Sequence, residues 1–84
     1  MSNNNPDLDN YGRPRSDYID KLRGMSKEDL FAETERMIWL SAYAANNPRS
    51  DYHWQCDACY AEWTKNRNDE AGYQRAYDNV RASM

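Results

Sequence analysis

The sequence predicts an all-α fold: a small antiparallel three-helix bundle with a short extra helix on its N-terminal side. Three observations carry this. Apolar residues recur at three- and four-residue steps across three long stretches. Gly, Pro and Asn-rich punctuation separates those stretches by only a few residues, which makes neighbouring helices antiparallel. No run of alternating, β-branched residues stands out as a strand.

The opening MSNNNPDLDNYGRPR is nearly devoid of apolar side chains and cannot bury much surface, so residues 1–15 are expected to form a flexible polar tail. Residues 16–84 then make a single helical domain. The word PRSDY follows, at 14–18, and returns at 48–52. In the first copy Ser16 is expected to cap a short helix whose apolar edge is Ile19 and Leu22, with Gly24 ending it in the left-handed conformation.

The stretch SKEDLFAETERMIWLSAYAANN opens with Ser26 and has Asp29 three residues on, a capping-box-like start with acids in the first turn. One broad face then collects Leu30, Phe31, Thr34, Met37, Ile38, Ser41, Ala42 and Ala45 before Asn46, Asn47 and Pro48 stop the helix. The next helix begins at the second PRSDY, capped by Asn47 or Ser50, with a stripe of Tyr52, Cys56, Cys59, Tyr60 and Trp63. Asn68 or Asp69 starts the last helix, striped by Tyr73, Ala76, Tyr77, Val80 and Met84 and weakened by Gly72 near its start.

The two PRSDY copies lie 34 positions apart, the period of tetratricopeptide helix pairs. Shifting the chain by that period lays helical Phe31-Ala32-Glu33 on the turn residues Lys65-Asn66-Arg67. Duplication therefore explains the word poorly, and shared helix-start chemistry explains it well: PRSDY is punctuation.

Composition narrows the function. The chain has 84 residues and net charge −3, with three Trp, seven Tyr and one Phe. A core of roughly 70 residues needs dense aromatic packing, a staple or a second subunit, and oligomerisation is expected. Lys and Arg are scattered without a basic stripe, which argues against nucleic acid, and the acids Glu28, Asp29, Glu33 and Glu35 are too sparse to imitate it. No membrane-crossing stretch or leader pattern is readable, so a cytoplasmic protein with Cys56 and Cys59 as reduced thiols is expected.

Chemistry finds few candidates. His53, Cys56 and Cys59 form H-x-x-C-x-x-C and are all zinc-binding residue types, but three-residue steps on a helix drift around the cylinder and no second ligand pair exists. Small apolar core residues are the simpler reading of the thiols. A redox C-x-x-C belongs at a helix N-terminus after a strand, and this one is mid-helix. With one His and no Gly-rich nucleophile turn or phosphate loop, no catalytic residue is assigned and no cofactor is expected.

Apolar surface that the core stripes do not use is more informative. Trp39 and Tyr43 lie nearly opposite the Phe31/Ile38 face, and Trp54, Ala58 and Ala61 lie opposite Tyr52/Cys56/Trp63. Trp and Tyr dominate binding hot spots, and a pair of alanines lets another helix approach closely, so these five are the expected partner-binding residues. The alternative ligand set is Arg36, Arg49, Arg75 and Arg81, which with the aromatics would suit an anionic nucleotide held between subunits.

The stretch MIWLSAYAANNPRSDYHWQCDACYAEW, residues 37–63, resembles segments of short, uncharacterised helical proteins encoded by tailed bacteriophages. The resemblance transfers no functional residue. It implies a setting: a small accessory protein in the host cytosol that binds and inhibits or redirects a bacterial protein, such as a defence component.

Overall fold

A computed structural model describes residues 7–84, and these form the expected all-α bundle, with four α-helices among the described residues. Helix α1 spans Arg15–Arg23, α2 Lys27–Tyr43, α3 Asp51–Ala61 and α4 Glu70–Ser83. A π-helical turn, Glu62–Asn66, continues α3. Helix α2 packs on α3 and α4, and α1 lies across α3 and the π-turn. The backbone extends over 40 × 28 × 17 Å, so the shortest axis holds only about two layers of helix and every long helix keeps a solvent-facing side.

Local chemistry sets the helix ends. Ser26 Oγ accepts from the Asp29 amide at 3.1 Å, Ser50 Oγ from the Tyr52 amide at 3.2 Å, and Asp69 caps α4 by accepting from the Gly72 amide at 3.1 Å. Two expectations for α1 are corrected. The helix begins at Arg15, with Pro14 in the capping position and no side-chain cap, so Ser16 is already inside the first turn. Gly24 stays right-handed (φ −84°), because the chain turns straight into the Ser26 cap without reversing. The two PRSDY copies thus start helices one through its Arg and the other through its Asp.

Of the expected tail, residues 1–6 lie outside the described part, and residues 7–14 form a loop closed by its own hydrogen bonds. Its Asp9 carboxylate accepts from the amides of Tyr11 and Arg13, each at 2.8 Å, and pairs with the Arg13 guanidinium at 3.0 Å. Asn10 then ties the loop to the second PRSDY, its amide donating to Asp51 (3.1 Å) and its side chain to the Arg49 carbonyl (2.7 Å).

Two adjoining clusters form the core. Leu22, Leu30, Met37, Cys59 and Trp63 make one; Ile38, Ala76 and Val80 make the other, and Phe31, Cys56 and Tyr73 touch both. Trp63 is wholly buried, its Nε1 donating to Thr34 Oγ1 at 2.8 Å, while that hydroxyl donates to the Leu30 carbonyl at 2.6 Å. The helical stripes are narrower than the pattern suggests: Ala42, Ala45, Tyr52, Tyr60 and Met84 are exposed. A slab this thin covers only the centre of each helix face.

The π-turn has a purpose in this arrangement. It brings Arg67 back so that its Nε donates to buried Glu62 (2.8 Å) while its Nη2 donates to the carbonyls of Met25 (2.7 Å) and Leu22 (3.2 Å). Arg67 thereby supplies partners for carbonyls at the end of α1, a charge-assisted clamp between α1 and the π-turn. Burial pushes the Glu62 carboxyl up, but hydrogen bonds from Asn66 and Arg67 and the Arg67 charge outweigh it and hold the group below the usual carboxylate range.

Candidate functional site

The five expected interface residues do not form one patch. Trp39 and Tyr43, one turn apart on α2, stack at 5.4 Å between centroids with an 8° angle between planes. Both remain open to solvent, at 47% and 76% exposure. Their position follows from α2 itself: Leu30, Thr34, Met37 and Ile38 face the core, which turns Trp39 and Tyr43 outward. The stack fixes two large rings in one orientation before any partner arrives, which lowers the ordering cost of docking on them.

Trp54 is engaged within the fold. The Tyr18 ring meets it edge-on at 5.6 Å, the Arg15 guanidinium lies 4.9 Å over it, and its Nε1 donates to Asp51 at 2.8 Å. Trp54 therefore holds α1 onto α3, and Asp51, which accepts from it, also receives the Asn10 amide of the N-terminal loop. Ala58 packs against the first core cluster and Ala61 is half-buried, so the alanine pair is not an open helix-docking strip. Trp54 and Ala58 instead border an open groove of about 620 Å³ with Leu8, Pro14, Ile19 and Asp57. No ring contact joins Trp54 to the Trp39–Tyr43 pair among the described residues.

The zinc candidates are likewise drawn apart by other bonds. His53 Nε2 lies 3.1 Å from the Ala44 carbonyl and 2.9 Å from that of Asn47, both acceptors, so Nε2 carries the proton. Nδ1 meets Ser41 Oγ at 2.7 Å. His53 thus closes the end of α2 onto α3, and both ring nitrogens are used. Cys59 is buried beside the Tyr18 hydroxyl (3.7 Å), and Cys56 faces Tyr73 (3.9 Å). Burial pushes the Cys59 thiol up to about 11 and also raises that of Cys56, opposite to what a reactive or metal-binding thiolate needs. Among the described residues no group of three His, Cys, Asp or Glu is placed to hold a metal ion.

The four arginines of the nucleotide reading are dispersed. Arg36 pairs with Glu33 at 3.2 Å on α2, and Arg49 sits in the turn after it. Arg75 and Arg81 border separate cavities on α4, Arg81 lying 5.6 Å over the Tyr77 ring. Sequence reasoning passed over Arg15 and Asp51, which position Trp54; the Asp51–Trp54 spacing of three on a helix was the available signal. Glu33, which the sequence places on a solvated face with Glu35, is instead largely covered: its carboxylate accepts from Tyr18 at 2.6 Å and pairs with Arg36.

Comparison with protein-family models, with curated proteins and with solved structures finds no match for this chain. No helix among the described residues is long and apolar enough to cross a membrane.

Proposed function

We propose that the protein is a non-enzymatic interaction protein that docks another protein on the outer face of α2. The supporting observation is the exposed, pre-stacked Trp39–Tyr43 pair: two hot-spot residue types, mutually oriented and turned away from the core. The paired Arg36 beside them adds a charged contact at the rim. Trp54, Ala58 and Ala61 serve the fold in this reading, so the partner-binding set contracts to α2. The partner is taken to be a bacterial host protein, such as a defence component, that is inhibited or redirected; that choice rests on the resemblance of residues 37–63 to phage proteins.

The experiment is capture of associates from bacterial lysate with tagged wild-type chain and with a Trp39→Ala/Tyr43→Ala variant. A stoichiometric protein retained by wild type and lost by the variant, with circular dichroism unchanged, supports the reading. Retention of the same protein by both would move the docking site elsewhere.

A further inference from the structure

The outer face of α2 carries more than its two rings. Ala32, Arg36, Trp39 and Tyr43 are all exposed, and they are spaced four, three and four residues apart. That is the spacing of a seam along which one helix packs on another, and it runs opposite the buried Leu30, Thr34, Met37 and Ile38. We infer that this seam pairs with the same seam of a second copy of the chain, antiparallel, about a two-fold axis between positions 37 and 38.

Self-complementarity selects the occupant and the direction. In an antiparallel pair each layer joins residues on either side of the axis. Tyr43 then falls on Ala32 of the second copy, a large ring on the smallest side chain of the seam. Trp39 falls on Arg36 of the second copy, a guanidinium over an aromatic face. Arg36 is prepared for that contact, since Glu33, fixed by the Tyr18 hydroxyl at 2.6 Å, holds the guanidinium at 3.2 Å. A parallel pair would instead oppose Arg36 to Arg36 and Asp29 to Asp29, and like charges disfavour it. In the antiparallel register Asp29 falls beyond the end of the second copy's α2, opposite the uncharged turn 44–47.

The seam spans about 18 Å along the helix, short of what the roughly 800 Å² per subunit of a standard interface requires. The dimer is accordingly weak and dissociates on dilution. It uses the face assigned to a partner above, so partner and second copy compete for α2. The two ideas fail separately: a chain that stays monomeric but captures a host protein through Trp39 and Tyr43 retains that function without the dimer.

Sedimentation equilibrium on the full chain between about 10 µM and about 1 mM, the range a short interface implies, tests this. The weight-average mass is expected to rise from 9.9 kDa toward twice that value. Tyr43→Glu should stay monomeric, and Ala32→Trp, which fills the small position, should weaken association at least about tenfold. Both positions are exposed, so helicity is expected to be unchanged; should Ala32→Trp unfold, Tyr43→Glu decides alone. Arg36→Gln separates the directions, weakening an antiparallel pair and tightening a parallel one. A monomer throughout the range, a dimer indifferent to Tyr43→Glu, or tightening by Arg36→Gln would each overturn the proposal.

Discussion

Gly72 lies so close to the Trp63 indole that a Cβ at that position would be 2.5 Å from Cε3 and 2.9 Å from Cη2. Real side chains do not approach so near, and the obstacle is a wholly buried ring with no room to swing away. The glycine that lowers the helical propensity of α4 is thus what lets α4 reach the core.

Gly72→Ala is therefore expected to destabilise the fold by about 1–3 kcal/mol through overpacking, although alanine is the better helix former by about 1 kcal/mol. Urea unfolding followed by circular dichroism measures it. A neutral or stabilising result would mean that Trp63 yields to the methyl group, and the close-approach account would be wrong.

Thr34→Val keeps the shape of the side chain and removes the acceptor for Trp63 Nε1. The buried indole N–H then lacks a partner, at a cost of about 1–3 kcal/mol. Trp63→Phe in the Thr34→Val background should recover part of that loss relative to the additive expectation. Strict additivity in this double-mutant cycle would show the bond to be energetically idle.

The two exposed rings of α2 and the Trp on α3 should separate in stability measurements. Trp39→Ala and Tyr43→Ala are expected to change unfolding free energy by no more than about 0.5 kcal/mol each, as surface substitutions do. Trp54→Ala removes the contacts to Tyr18, Arg15 and Asp51 and should cost about 2 kcal/mol. A Trp39→Ala variant as unstable as Trp54→Ala would contradict the interface reading.

Acid should loosen the 7–14 loop and the π-turn. For Asp9, desolvation raises the pKa, and the amides of Arg13 and Tyr11 and the Arg13 side chain lower it more; Glu62 is lowered against its own burial by Asn66 and Arg67. A carboxyl with a depressed folded pKa contributes stability that is complete above its unfolded value of about 4 and is lost as pH falls through the folded value. The melting temperature is expected to hold above about pH 4.5 and fall below about pH 4. Glu62→Gln should flatten part of that fall; an unaltered acid limb in this variant would assign it to other groups.

The thiols should be slow to alkylate. With Cys59 buried and its thiol pushed up to about 11, it is expected to react with iodoacetamide at pH 8 only on unfolding, after half-buried Cys56. Rapid modification of Cys59 in the native state would contradict its placement in the core.

Much of the fold was legible because helix ends and helix faces are local properties. Ser26, Ser50 and Asp69 act within three residues of themselves, and Leu30, Met37, Cys59 and Val80 follow a period set by the backbone alone. The candidate site was legible in half: Trp39 and Tyr43 lie outside the core stripe because of their phase on α2. Trp54 shares that logic on α3, yet it is covered, because the chain crosses back over it through α1 and the 7–14 loop. Nothing near Trp54 in sequence says that Tyr18 and Arg15 will arrive there.

Local sequence was enough for the helical class, for the starts of α2, α3 and α4 and for the rings that lie off the core stripes, since each depends on residues within a turn or two. Packing between distant segments settles that Gly72 serves Trp63, that Arg67 clamps α1, that His53 closes α2, and that one off-stripe Trp is engaged within the fold while another is open. Those outcomes depend on which segments meet in a slab of about two helix layers. In such a slab the neighbours available to a side chain are set by chain path, and chain path is a long-range property that local periodicity does not encode.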